Sequence, residues 1–208
     1  MTKQTVTIID YGMGNMRSVQ NAFLYLGVKV NLSSDPEVIA KADTLILPGV
    51  GSFRRAMVGI KVKHIDQAIL EAVQSRGQKI LGICLGMQLL GLSSPEDGYT
   101  EGLGLIKCKV DEFSELDLVG KKSPHIGFNT VNSSTKSQLF RGLPRAADFY
   151  FVHSLRMLPD GVNGLPATCD YGVEFLAAFE KDNILATQFH PEKSQTNGLK
   201  LLRNFLSH

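Results

Sequence analysis

The chain has 208 residues, 43% of them hydrophobic, enough for one well-filled core, and this size suits a single α/β domain over residues 1–208. Its 22 basic and 20 acidic side chains leave a net charge of +2 with no long run of one sign, so electrostatics give no reason to expect nucleic acid or an anionic membrane as partner. Thr2-Lys3-Gln4 leads into a short strand without the apolar stretch of a signal peptide, no segment has the apolar length of a membrane span, and three cysteines without metal-site spacing argue against a disulfide framework, so the expected setting is a reducing cytoplasm.

The first half alternates strand and helix. Val6 to Ile9 is a β-rich run closed by Asp10-Tyr11-Gly12-Met13-Gly14; Asn15 then caps a helix whose apolar residues Val19, Phe23, Leu24 and Leu26 keep helical spacing up to Gly27. Val28 to Leu32 reads as a second strand, and Asp35-Pro36-Glu37 opens a short helix with proline where it is tolerated. Thr44 to Leu47 is a third strand, ended by Pro48-Gly49-Val50-Gly51-Ser52. A helical pattern from Phe53 to Ser75, interrupted near Gly59, stops at Gly77 before a strand at Lys79 to Leu81. This order predicts an open, mostly parallel sheet flanked by helices. Ligands of such sheets sit beyond the carboxyl ends of the strands, the rim on which Asp10 to Gly14, Pro48 to Ser52 and Cys84 all fall. After Gly91, Ser93 to Thr100 reads as a polar loop. The β-rich runs Leu103 to Val110, Ile126 to Val131, Phe149 to Val152 and Phe175 to Phe179 predict an antiparallel, hairpin-rich C-terminal half that extends the sheet. Lys181-Asp182-Asn183 is a turn, Ile184 to Phe189 a strand, and Gly198 to Leu206 a closing helix with Leu199, Leu202, Phe205 and Leu206 inward.

Cys84 is the candidate nucleophile. Gly82-Ile83-Cys84-Leu85-Gly86 joins a strand to the helical pattern Met87-Gln88-Leu89-Leu90, and the flanking glycines are expected to let the chain turn sharply and lift the thiol clear. Unpaired amides at the start of the new helix favour a thiolate and, after attack on a carbonyl, an oxyanion. A buried structural cysteine is the competing reading. His190-Pro191-Glu192 follows the Ile184 strand and so falls on the same rim. His190 suits the base, Glu192 the group that orients its imidazole, and Pro191 stiffens the turn. Of the other histidines, His153 ends a strand and is expected to contact the ligand, His125 to be structural, and His64 to be a solvated or packing residue of an amphipathic helix. Gly49 and Gly51 can bring amides close to an oxygen, half of an oxyanion hole that the Leu85 amide completes; a plain βα turn would look alike.

Gly-Ile-Cys-Leu-Gly-Met-Gln at Gly82 to Gln88, Pro-Gly-Val-Gly at Pro48 to Gly51 and His-Pro-Glu at His190 to Glu192 together resemble the triad-type (class I) glutamine amidotransferases across the whole chain. Within that family, Asp10 to Asn15, Pro124 to Gly127, Tyr150 to Ser154 and Lys200 to Phe205 are similar to the glutaminase subunits of imidazole glycerol phosphate synthase, of histidine biosynthesis. The resemblance implies that Cys84 attacks the side-chain amide of L-glutamine, His190 protonates the departing ammonia, and water hydrolyses the glutamyl thioester, with no metal or cofactor. It assigns Gln88 and Glu96 to the polar groups of glutamine and backbone contacts to Gly49, Gly51 and His153-Ser154-Leu155. It implies a heterodimer in which ammonia is channelled to a (β/α)8-barrel cyclase, with Asn15, Phe128 and Lys193 facing that partner.

One departure stands out. The family's Pro-His-x-Gly segment usually continues with Trp-Asn, whereas this chain has Phe128-Asn129 and no tryptophan, and Ser154-Leu155 stands where an aromatic commonly follows. Phenylalanine keeps an apolar contact but lacks the indole N–H. Both changes are expected to lie away from the triad, on the partner-facing side. Two alternatives accompany the main reading: a paralogous glutaminase feeding a sugar amidotransferase in surface-polysaccharide synthesis, and an inactive regulatory subunit on the same scaffold. The presence of Cys84, His190 and Glu192 argues against the second.

Overall fold

Near-continuous apolar runs such as Val6 to Ile9, Thr44 to Leu47 and Ile80 to Ile83 are stable as strands only where both faces of a sheet are covered. In the computed structural model, which describes residues 4–208 and leaves Thr2 and Lys3 outside, they become the centre of such a sheet. The first half runs β1 (Thr5–Ile9), α1 (Met16–Tyr25), β2 (Lys29–Ser33), α2 (Pro36–Ala40), β3 (Thr44–Gly49), α3 (Phe53–Val62), α4 (Ile65–Leu70) with a π-helical turn Glu71–Ser75, β4 (Lys79–Cys84) and α5 (Leu85–Leu89). The second half contributes β5 (Ser93–Ser94), β6 (Thr100–Glu101), β7 (Val110–Glu112), β8 (His125–Asn132), β9 (Ala146–His153), β10 (Leu155–Met157), β11 (Leu165–Asp170), β12 (Glu174–Lys181), β13 (Ile184–Thr187), a 3-10 turn Pro191–Lys193 and α6 (Gln195–Ser207).

Nine strands form one sheet in the order β2-β1-β3-β4-β13-β12-β11-β8-β9. The first five are parallel, and from β12 onward the neighbours are antiparallel, as the two halves of the sequence predict. Alternate residues serve opposite faces. Ile8, Ile46, Leu81 and Ile83 pack with α1 and α6, while Ile9, Leu45, Leu47 and Ile80 pack with α2, α3 and α4. The sheet curls enough for its last strand to return to the fourth: the Cys84 sulfur at the end of β4 is 3.7 Å from the Val152 carbonyl of β9.

Several local expectations are corrected. The break in the long helical stretch falls at His64, whose φ is +55°, and not at Gly59, which lies within α3 where an added Cβ would stand 3.0 Å from the Tyr11 carbonyl. His64 is therefore an exposed residue between helices and not part of one. Asn15 occupies the cap position of α1, but its side chain makes no capping bond. Leu24 is half exposed, and the inner face of α6 is Gly198, Leu201, Leu202, Asn204 and Phe205, with Leu199 and Leu206 only partly covered. Ser93 to Thr100 is bracketed by the two-residue ladder β5–β6, and of Leu103 to Val110 only Val110 enters a strand, because its backbone N–H groups bond instead to the carbonyls of Leu89, Leu90 and Gly91. Strands β10 and β11 lie outside the predicted β-rich runs; β11, Leu-Pro-Ala-Thr-Cys-Asp, lacks an apolar run.

Among the described residues no helix is long and apolar enough to cross a membrane, and no group of three or more His, Cys, Asp or Glu side chains is placed to hold a metal ion. All three cysteines are free and buried.

The start of α5 is packed directly onto β3: an added Cβ on Gly86 would collide with the Leu47 carbonyl oxygen. Because the Leu47 carbonyl belongs to sheet backbone that cannot move aside, Gly86→Ala is expected to destabilise the fold by about 3 kcal/mol, read as a lower urea midpoint.

Candidate active site

Cys84 ends β4 and precedes α5 with φ +55° and ψ −111°, a conformation that side-chain-bearing residues seldom adopt and that costs on the order of 1–3 kcal/mol. This changes the role expected of the glycines. The sharp turn is carried by Cys84 itself; Gly82 and Gly86 permit close approach, Gly86 to Leu47 and Gly82 to the backbone of Gly86 and Met87, each 2.9 Å from an added Cβ. The elbow is tight because helix, turn and two strands meet without side chains between them. The thiol lies at the floor of a cleft of about 430 Å³. Gln188 Nε2 donates toward its sulfur at 3.8 Å.

Position beside the thiol follows from register. Parallel pairing sets Thr187 of β13 opposite Ile83 of β4, so the chain leaves β13 level with Cys84 and reaches His190 three residues later. The turn is stapled to the outer edge of β9. The His190 N–H donates to the Tyr150 carbonyl at 2.8 Å, the Tyr150 N–H donates to Ser194 Oγ at 2.9 Å, and that hydroxyl donates to the His190 carbonyl at 2.7 Å. His190 Nδ1 meets Glu192 Oε1 at 2.7 Å, with the two side chains only 4% and 2% exposed. This is no surface turn. Burial works against a charged imidazole, but the Cys84 sulfur on one side and the Glu192 carboxylate on the other outweigh it and raise His190 to about 9. Nε2 makes no hydrogen bond of ordinary geometry, which leaves it free for proton exchange with the thiol and its adducts.

The cleft wall gathers most of the residues expected there. Gly51, Leu85, Gln88, Glu96, His153, Ser154 and Leu155 all line it, together with Val50, Ser52, Pro124 and Val152. Gln88 Nε2 is spent on the Leu155 carbonyl at 3.2 Å and on Gln188 Oε1 at 3.0 Å, so its own carbonyl oxygen is the group left for a ligand. Glu96 Oε2 accepts from the Phe53 N–H at 2.6 Å, which fixes one carboxylate oxygen and leaves the other. The Pro48 to Ser52 loop is braced from behind by Tyr11, whose hydroxyl donates to the Pro48 carbonyl at 2.9 Å. Burial, and then the nearby Cys84, raise the Tyr11 phenol well above its ordinary range, so this donor stays protonated.

Two expectations, for Gly49 and Leu155, need revision. Gly49 is not on the cleft wall; it lies in a narrow recess with Asn15, His190 and Glu192, and an added Cβ would strike the Tyr11 hydroxyl, so packing already requires glycine. Asn15 faces that same recess while remaining exposed. Leu155 does not lie on the outer face but forms cleft wall beside Gln88, which separates it from Phe128. His153 lines the cleft yet cannot serve as base, because its Nδ1 is held by the Leu155 carbonyl at 2.7 Å and its Nε2 by His125 at 3.0 Å. Burial above all keeps His153 down to about 3 and His125 to about 4, so both are neutral.

Phe128 is 51% exposed on β8 and packs edge-on against Tyr150 at 5.5 Å; Lys193 Nζ lies 5.9 Å from the same Tyr150 ring. Gln188, Tyr11 and Tyr150 join the site without being among the residues the sequence predicts for it. For Gln188 the available signal was a long polar side chain between the apolar residues Ala186 and Phe189; for Tyr150, its place in a quoted motif.

The family profile described as glutamine amidotransferase class-I matches residues 7–208. The imidazole glycerol phosphate synthase subunit HisH of Syntrophotalea carbinolica is 45% identical over 96% of this chain and 98% of its own length. The subunit of the same name from Geobacter sulfurreducens is 45% identical over 99% of this chain and 98% of its own. The solved structure of PurLQS from Thermotoga maritima superimposes with a TM-score of 0.74 at 18% identity, covering 100% of this chain and 99% of that one, a likeness of fold.

Because His190 is raised from 6.5 to about 9, the folded chain holds a proton between those values that the unfolded chain has released. The stability this contributes is complete below the unfolded value and is lost as pH climbs through the folded one. Urea unfolding is expected to show stability falling with pH across this window, with the slope flattened in His190→Asn.

Proposed function

The chain belongs to the class I glutamine amidotransferases, and we propose that it works as the glutaminase subunit of imidazole glycerol phosphate synthase, hydrolysing L-glutamine and passing the ammonia to a (β/α)8-barrel cyclase in cytoplasmic histidine biosynthesis. The observation that carries the chemistry is that Cys84, which lines a cleft bounded by Gln88 and Glu96, is coupled to the His190–Glu192 pair buried behind it. Near-full-length relatives bearing that subunit's name support the pathway.

The reaction runs as follows. Cys84 Sγ attacks the side-chain carbonyl carbon of glutamine, and the oxygen gains charge against the Leu85 amide and the Val50–Gly51 part of the loop. His190, charged in the resting pair, gives its proton to the departing nitrogen, and ammonia leaves a glutamyl thioester. Neutral His190 then takes a proton from water, whose attack on the thioester releases glutamate and returns the sulfur to its starting state. Glu192 holds the imidazole with Nε2 toward the sulfur and stabilises its cation in each half. Ammonia set free in water would be protonated and lost as a nucleophile, so the product calls for a partner seated over the site.

The surface formed by Phe128, Tyr150 and Lys193 suits that partner: a half-exposed aromatic pair beside a lysine offers an apolar anchor and a charge. Phenylalanine at position 128 keeps the aromatic contact with Tyr150 and does not call for a different acceptor.

In the assembled complex, Cys84→Ala is expected to lower glutamine-dependent turnover at least about 10³-fold while activity supported by added ammonium salt is retained. Loss of both, or retention of both, would argue against Cys84 as nucleophile. Phe128→Ala is expected to weaken assembly with the cyclase about 10- to 100-fold by titration calorimetry, without lowering the melting midpoint of the free chain by more than a few degrees.

A further inference from the structure

Behind the cleft wall lies a row of hydrogen bonds whose direction is set independently at its two ends. β8 and β9 pair so that His125 stands opposite His153. At one end, Asn129 Oδ1 accepts from the Thr130 N–H at 2.8 Å and its Nδ2 donates to the Asp170 carbonyl at 3.0 Å, which fixes the orientation of the amide. The same Nδ2 faces His125 Nε2 at 3.3 Å, so that ring nitrogen has to be the bare, accepting one. At the other end, His153 Nδ1 lies 2.7 Å from the Leu155 carbonyl, which can only accept; this nitrogen carries the proton, and His153 Nε2 is bare. One arrangement satisfies the remaining contact of 3.0 Å: His125 Nδ1–H donates to His153 Nε2.

A second proton on either ring would set two donors face to face, and burial disfavours that charge in both. His125 is also clamped in its plane, stacked 3.9 Å from the Tyr171 ring and 4.7 Å from that of Phe151. The row ends on a carbonyl that matters for the site. Leu155 O also takes the Gln88 Nε2–H at 3.2 Å, Gln88 in turn donates to Gln188 at 3.0 Å, and Gln188 reaches the Cys84 sulfur at 3.8 Å.

We propose that Asn129, His125 and His153 are positioning residues, a one-way relay of neutral imidazoles that fixes the Leu155 carbonyl and thereby the Gln88 and Gln188 amides beside the thiol. None of the three hydrogen-bonds to the Cys84 sulfur, whose partners are the Val152 carbonyl and Gln188. The kinetic consequence rests on the glutaminase reading above; the relay itself does not.

Two measurements test it. Long-range proton–nitrogen spectra of the histidine rings in the free full-length chain at neutral pH are expected to show both His125 and His153 as the Nδ1–H tautomer. An Nε2–H tautomer or a doubly protonated ring at either position overturns the relay. In the complex with the cyclase, His125→Phe, which keeps the stacking but removes the donor, is expected to raise the glutamine KM at least about tenfold with kcat changed less than about threefold. His125→Asn, which stacks poorly but returns an N–H near the Nδ1 position, is expected to bring KM back to within about threefold of the parent. A role in packing alone predicts the reverse ranking, and that ranking, or an unchanged KM in His125→Phe, refutes the proposal. A parent complex that fails to hydrolyse glutamine would sink the functional reading alone, and the tautomers would still decide the relay.

Discussion

The parallel pairing of β13 with β4 joins residues that lie about a hundred positions apart, Ile184 to Thr187 against Ile80 to Ile83, and the geometry of the site follows from it. A slip of one residue would turn the inward side chains of β13 to the opposite face and carry the His190 turn away from the sulfur. The apolar layers hold the register: Leu185 is buried with Leu81 and Ile83 on one face, and Ala186 with Ile80 on the other. Both layers must be filled before the pair is stable, so the core on each side of the sheet is a condition for bringing base and thiol together.

The same joint explains why so much polarity survives under the cleft. His190, Glu192, Gln88, Gln188, His125 and His153 are removed from water almost completely, and each would be costly alone. Together they form two sets of mutual partners, one charged and one neutral, that meet at Cys84. In the proposed reaction the charged pair, with His190 raised to about 9, supplies the proton and the neutral set supplies direction. Keeping these functions on different histidines is what lets three imidazoles share one small volume without competing for a proton.

Much of this was legible in the sequence because it depends on local pattern. Alternating strands and helices gave the parallel half, and a cysteine at a strand-to-helix corner with His-Pro-Glu after a later strand gave the rim. What stayed hidden depends on pairing between distant segments. The flanking glycines looked like the source of the turn, yet Gly86 is demanded by the Leu47 carbonyl of another strand, and the unusual φ belongs to Cys84. Leu103 to Val110 has strand-like residues, but the backbone of Leu89 to Gly91 takes its N–H groups first. His125 and His153 are 28 positions apart and acquire meaning only from the β8–β9 register.

The left-handed φ at Cys84 also bears on how such a chain would change under selection. Glycine adopts that conformation without the penalty a side chain incurs, so Cys84→Gly would relieve strain at the very position where it removes the proposed nucleophile. Stability and chemistry pull in opposite directions at a single residue. In a variant with no need to hydrolyse glutamine, replacing this cysteine by glycine would lower the conformational energy at no cost in activity. Cys84 thus sits at a conformational cost set by its own backbone.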